Sequence, residues 1–238
     1  MLTRAQYLEA LEQDSASFVD IIASADLARE VPSCPGWTIR DLAMHVGSIH
    51  RWAHDVVVSG TSVDVPQGPA DPPDLAPWFA DGAAQLLDLL RTTDPDAPAW
   101  TFGPPPGLVS FWTRRQAHET AMHLADAHQA LGIPTSIEAL LASDGVDEVV
   151  SMVYPRQVRL GRAEPLIPGV RIVLDERPDV TYVLAGDGSD PEAPTGALIA
   201  GSAERVLLVL WGRASIEDLR IVGDPLVAQA AVRSAITS

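Results

Sequence analysis

Residues 114–128 read RRQAHETAMHLADAH, three histidines and a glutamate in a run with no glycine or proline to interrupt a helix. At about 100° per residue, Glu119 and His123 stand about 40° apart on one helix face. A carboxylate and an imidazole spaced in this way converge above a single turn and can chelate one divalent ion. The same spacing also describes a solvated face, with Arg115 paired to Glu119 and His123 beside them. His118 and His128 fall off that face, which instead carries Trp112, Arg115, Asp126 and Ala130. Ala117, Ala121, Leu124 and Leu131 make the apolar side.

Two donors need a third. The segment TIRDLAMHVGSIHRWAHDVVVSG offers His45, His50 and His54. Its apolar stripe is Leu42, Val46, Ile49, Ala53 and Val56. His45 and His50 flank opposite edges of that stripe, each about 70° from its centre. His50 and His54 are themselves four residues apart and share a wetter face. Periodicity leaves all three open, and leaves open that each is only a hydrogen-bonded neighbour of the core.

The elements that must position these groups are mostly helices. Tyr7, Leu8, Leu11, Phe18, Ile21 and Ile22 recur at near-helical spacing in the first segment. After the turn VPSCPGW, Thr38 with Asp41 three residues on makes an aspartate form of the capping box, and Gly60 is a stop. A loop rich in proline and aspartate covers residues 66–73, and a third helix is expected over 77–91. A second breaker-rich stretch, DPDAPAWTFGPPPG, leads into the fourth helix, expected over 110–131 and closed by Gly132 and Pro134. A fifth helical pattern covers 146–154. Four main helices with long connections predict a bundle.

The last third changes character. VRIVLDE and VTYVLAG are β-rich runs separated by RPD, and GALIAGSA is a weaker third strand. SAERVLLVLWGR reads as a buried helix capped by Ser202, IEDLRIVGD as a short strand, and DPLVAQAAVRSAI as a terminal helix capped by Asp224. The expectation is an α+β chain, with a helical bundle over 1–160 and a small α/β domain over 161–238.

Composition narrows the function. Sixteen Lys and Arg against 32 Asp and Glu give a formal charge of −16. A chain this acidic repels phosphate backbones and anionic lipid, so neither nucleic acid nor membrane is expected as a partner. One cysteine, Cys34, rules out disulfide frameworks and thiolate zinc clusters. The N-terminus lacks the apolar core of a signal peptide, and no run reaches the ~18 apolar residues of a membrane span. The expected setting is cytoplasmic, as a monomer or homodimer.

The blocks VPSCPGWTIRDLAMHVGSIHRWA and FWTRRQAHETAMHLADAH together resemble the mycothiol-dependent maleylpyruvate isomerase family and its DinB-like metal-binding four-helix bundle. SAERVLLVLWGRASIEDLRIVGD resembles that family's small C-terminal domain. The resemblance implies a divalent metal, typically zinc, on His45, Glu119 and His123, with a coordination position left open. It implies mycothiol as a thiol cosubstrate and a small electrophile or carboxylate as substrate. The reaction would be a cis–trans isomerisation or a thiol S-transfer. Arg115 and Arg213 are the cations expected to meet substrate carboxylates, because guanidinium suits bidentate binding. The alternative is a non-enzymatic metal sensor or interaction module on the same bundle.

Three further features have two readings each. Asp126, one turn past His123, can serve His123 or His45 as an outer partner, or simply face water. Cys34 lies just before a helix N-terminus, which can lower a thiol pKa, yet such a residue also serves as a small packed hydrophobe. Trp100, Phe102, Phe111 and Trp112 can wall a pocket or pack the loop onto the bundle.

Overall fold

The computed structural model describes residues 2–66 and 75–234. The chain divides into two compact units, Leu2–Ser136 and Ile137–Ser238.

The first unit is the helical bundle: α1 (Arg4–Ser24), α2 (Ile39–Ser59), α3 (Leu75–Thr92) and α4 (Val109–Leu131). The Thr38–Asp41 capping box opens α2 as expected, and a second one, Thr3 with Gln6, opens α1. Gly60 and Gly132 close α2 and α4 in the left-handed region, where a residue without Cβ costs least. The α1 and α2 helices each pack against both α3 and α4. Phe18, Ile21, Leu42, Val46, Phe79, Leu124 and Ala127 meet in the core between them. Each large apolar side chain sunk there contributes roughly 2 kcal/mol. Phe18 stacks on Phe79 with ring centroids 5.2 Å apart. Gly47 lets α3 approach α2, since a Cβ there would meet the Trp78 ring at 2.3 Å. The Arg51 guanidinium covers that ring from 4.2 Å and donates to the Trp78 carbonyl.

The α4 helix does not have the wet face that its sequence permits. Arg115, Gln116, His118, Thr120 and Asp126 are buried, along with its alanines. A helix enclosed on nearly every side must satisfy its polar groups internally, so its charged residues form a network rather than a solvated surface. The loop expected over 66–73 lies, apart from Pro66, outside the described residues.

The second unit begins with α5 (Ala139–Glu148), a π-helical segment (Val149–Val153) and α6 (Tyr154–Arg159), forming one continuous helical stretch longer than the 146–154 expected. Four strands follow: β1 (Leu166–Leu174), β2 (Arg177–Gly186), β3 (Thr195–Gly201) and β4 (Arg220–Gly223). Helix α7 (Ala203–Leu210) lies between β3 and β4, and α8 (Pro225–Arg233) ends the described chain. The sheet order is β2-β1-β3-β4. Ile172 of β1 faces Tyr182 across an antiparallel pairing and Ile199 across a parallel one. The stretch GALIAGSA therefore supplies an interior strand, and RPD belongs to β2. Pro178 is tolerated because β2 is an edge strand. Helix α5 packs on α7, which groups residues 137–160 with this unit, and the expected boundary at 160/161 falls inside it, just after α6. Among the described residues no helix is long and apolar enough to cross a membrane.

Candidate metal centre

Helices α2 and α4 bring three donors together. His45 Nε2 lies 3.4 Å from Glu119 Oε1, and His123 Nε2 lies 3.3 Å from the same oxygen. The two imidazoles meet edge to face, centroids 5.1 Å apart. All three donor atoms lie within 4.8 Å of one another. Ligands about 2.0–2.2 Å from a tetrahedral zinc stand about 3.3–3.5 Å apart. The donors from both histidines to the carboxylate match that spacing, so the residues fit a divalent ion. The other α2 histidines go elsewhere. His50 is fully buried, with Nε2 2.9 Å from Thr120 Oγ1 and its ring against Phe79. His54 pairs with Asp55 at 3.0 Å.

Charge at the site is balanced inside the protein. Burial works against the Glu119 carboxylate, but the Arg115 guanidinium and hydrogen bonds from His123 and His45 outweigh it and hold its pKa well below the usual range. Burial likewise works against His123⁺, and contacts with Asp126, Cys34 and Glu119 outweigh it, raising its pKa well above the ordinary value. A metal bound there would compete with that proton and displace it. His45 has the most exposed side chain of the three, at 33% against 17% for Glu119 and 14% for His123, so solvent reaches the site from the His45 edge.

Asp126 lies behind His123. Its Oδ2 is 2.9 Å from His123 Nδ1, the ring nitrogen not directed at Glu119. Its Oδ1 accepts from Ser33 Oγ, and Cys34 Sγ lies 3.6 Å from Oδ2. Of the two partners open to it in the sequence, Asp126 takes His123.

The model of the mycothiol maleylpyruvate isomerase N-terminal domain matches residues 8–128, and that of the MDMPI C-terminal domain matches 141–230. The chain belongs to the mycothiol-dependent maleylpyruvate isomerase family. Two solved structures share its fold: the mycothiol-dependent maleylpyruvate isomerase, with a TM-score of 0.61, and a mutant of it, at 0.64. Each is 17% identical, over 94% of this chain and 95% of the other. No curated protein matches the sequence.

The other residues singled out from the sequence lie as follows. Arg115 is buried, and its guanidinium donates to Glu119 one turn along α4. Arg213, in the second unit, donates from Nη1 to the Trp211 carbonyl at 2.6 Å, and its backbone N–H helps close α7 on Leu208. Trp100, Phe102, Phe111 and Trp112 pack on one another and on Trp52 of α2. The indole N–H of Trp112 is bonded to the Trp100 carbonyl and that of Trp52 to the Val63 carbonyl. With those polar edges bound to backbone, the cluster anchors loops to the bundle. Sequence reasoning missed Ser33 and Trp37, whose ring lies 5.0 Å from that of His45. The signal for both was the turn VPSCPGW itself, which places them beside Cys34 just before α2.

Proposed function

We propose that this protein is a zinc-dependent enzyme using a low-molecular-weight thiol, by family mycothiol, for cis–trans isomerisation or S-transfer on a small electrophile. The observation that carries the reading is the convergence of His45, Glu119 and His123 from two helices distant in sequence. These three residues would hold the ion. Three protein ligands leave room for one small ligand, the arrangement of catalytic rather than structural zinc. When bound, the ion would supply positive charge that favours the ionised form of a nearby thiol and draws electron density from a substrate carbonyl.

The chain's own residues have separable tasks. Arg115 keeps Glu119 anionic. Asp126 fixes the His123 ring. The open His45 edge admits the thiol and the substrate. Arg115 is the cation at the centre assigned to substrate carboxylates, with its charge already shared with Glu119. In an isomerisation the thiol adds across the cis double bond, the adduct rotates about the new single bond, and elimination returns the thiol and the trans product. The external thiol is the nucleophile, so Cys34 is not required as one. The acidic surface and the absence of any membrane-crossing helix among the described residues fit a small-molecule enzyme of the cytoplasm, as monomer or homodimer.

The test measures zinc by elemental analysis, and thiol-dependent consumption of maleylpyruvate and of model electrophiles. About one zinc per wild-type chain is expected, with little in His45→Ala or His123→Ala, and turnover only when both thiol and metal are present. Equal zinc in all three proteins would refute the ligand set. Zinc binding with no thiol-dependent turnover on any electrophile would favour a metal-binding module instead.

A further inference from the structure

Residues 31–37, the turn between α1 and α2, lie outside the His45–Glu119–His123 set, yet their side chains reach both histidines, and Cys34 with His123 and Asp126 makes a second cluster of donor atoms. The turn is closed on itself. Val31 N–H donates to the Trp37 carbonyl at 2.8 Å, Cys34 N–H to Val31, and Trp37 N–H to Cys34, each of the latter at 3.0 Å. Gly36 supplies a φ of +83° that a side chain would resist. Glu30 and Thr38 form a β-bridge across its base.

From this frame two contacts run to the site. The Trp37 ring lies against His45, centroids 5.0 Å apart, on the more open side of the centre. Ser33 donates to one oxygen of Asp126, and Cys34 approaches the other, the same oxygen that faces His123 Nδ1. Asp126 is fully buried. A buried carboxylate held by two elements cannot follow the imidazole if that ring turns. It therefore selects one ring orientation and keeps a proton on Nδ1, so that Nε2 is the nitrogen that would lose its proton to a metal.

We propose that Asp126 and the 31–37 turn are the positioning device of the centre: Asp126 sets the tautomer and ring plane of His123, Trp37 sets the ring of His45, and the turn holds both in place before any ion arrives. The proposal rests on His45, Glu119 and His123 being the metal ligands. It makes Asp126, Ser33 and Trp37 positioning residues, because they act through His123 and His45 and not on the ion itself.

The experiment titrates Zn²⁺ into metal-free protein against a chromophoric chelator and records the visible spectrum of the Co²⁺ form. Wild type is compared with Asp126→Ala, Asp126→Asn, Ser33→Ala and Trp37→Leu. Loss of an outer partner costs about 10–100-fold in metal affinity. Asp126→Ala is expected in that range, with weakened or shifted Co²⁺ bands. Asp126→Asn, which keeps an oxygen for the Nδ1 proton, should recover part of the loss. Ser33→Ala and Trp37→Leu should each weaken binding severalfold. Unfolding midpoints in chelator identify any variant that has lost its fold, and the near-isosteric Asp126→Asn and the surface-accessible Trp37→Leu then carry the test. Wild type that binds zinc, with folded Asp126 and Trp37 variants that match its affinity and Co²⁺ spectrum, overturns the positioning role and leaves the ligand set intact. Wild type that binds no zinc overturns both.

Discussion

Arg115 and Glu119 pair across one turn of α4, the guanidinium buried and the carboxylate partly so. The pair serves two masters. The guanidinium compensates the carboxylate charge, and an ion bound at the proposed centre would share that task. Removing one partner of a buried ion pair costs about 3–5 kcal/mol. Arg115→Met should therefore lower the stability of chelator-treated protein by about 3 kcal/mol, and by clearly less when zinc is saturating. Urea unfolding in the two conditions measures the difference, and equal losses would show that the arginine does not compensate Glu119.

His50 makes stability fall in acid. Burial lowers its pKa to about 4 from the ordinary 6.5. Between those values the unfolded chain binds a proton that the folded chain refuses, so stability decreases as the pH drops from about 6.5 toward 4. The loss reaches up to about 3 kcal/mol. His50→Gln, which keeps a polar group near Thr120, should remove this contribution, so in denaturant titrations at fixed ionic strength the stability of wild type relative to the variant should fall by up to about 3 kcal/mol as the pH drops from 6.5 toward 4.

Asp14 works in the opposite direction. Desolvation on α1 raises its pKa from 3.8 to about 6. The folded chain then holds a proton that the unfolded chain has released, so this group's contribution declines as the pH rises from about 4 through 6. Asp14→Asn should stabilise the protein by about 1–3 kcal/mol at pH 7.5 and have little effect near pH 4. In wild type the two groups partly cancel, so each is visible only in its own variant.

Cys34 lies beside Asp126 and is partly accessible. If the external thiol is the nucleophile, Cys34→Ala should keep thiol-dependent turnover within severalfold of wild type. A sulfur contact of 3.6 Å to a carboxylate is weak, so stability should change by about 1 kcal/mol or less. Complete loss of turnover in a folded, zinc-loaded Cys34→Ala protein would assign the nucleophile to the chain itself.

Much of this was readable in the sequence because it was local. The Thr38–Asp41 box, the glycine stops and the Glu119–His123 spacing depend only on residues within a turn of each other. The choice among His45, His50 and His54 was not local. It depends on the register between α2 and α4, which places His45 at Glu119 and turns His50 toward Thr120. The family resemblance supplied that choice where the helical wheel could not. The burial of α4 was hidden for a related reason: its charged residues neutralise one another only once α1 and α2 enclose them. β3 looked weak because it is short and rich in small residues, yet it runs between two neighbours that satisfy its backbone.

Glu119 and His123 ride on one rigid rod, whereas His45 rides on another. A slide of a single ångström between the two rods would leave the first pair undisturbed and pull the third donor out of range. The centre is thus a gauge of how tightly the bundle is assembled, and core substitutions far from it, at Leu42 or Phe79, should register first as weakened grip on an ion and only later as unfolding.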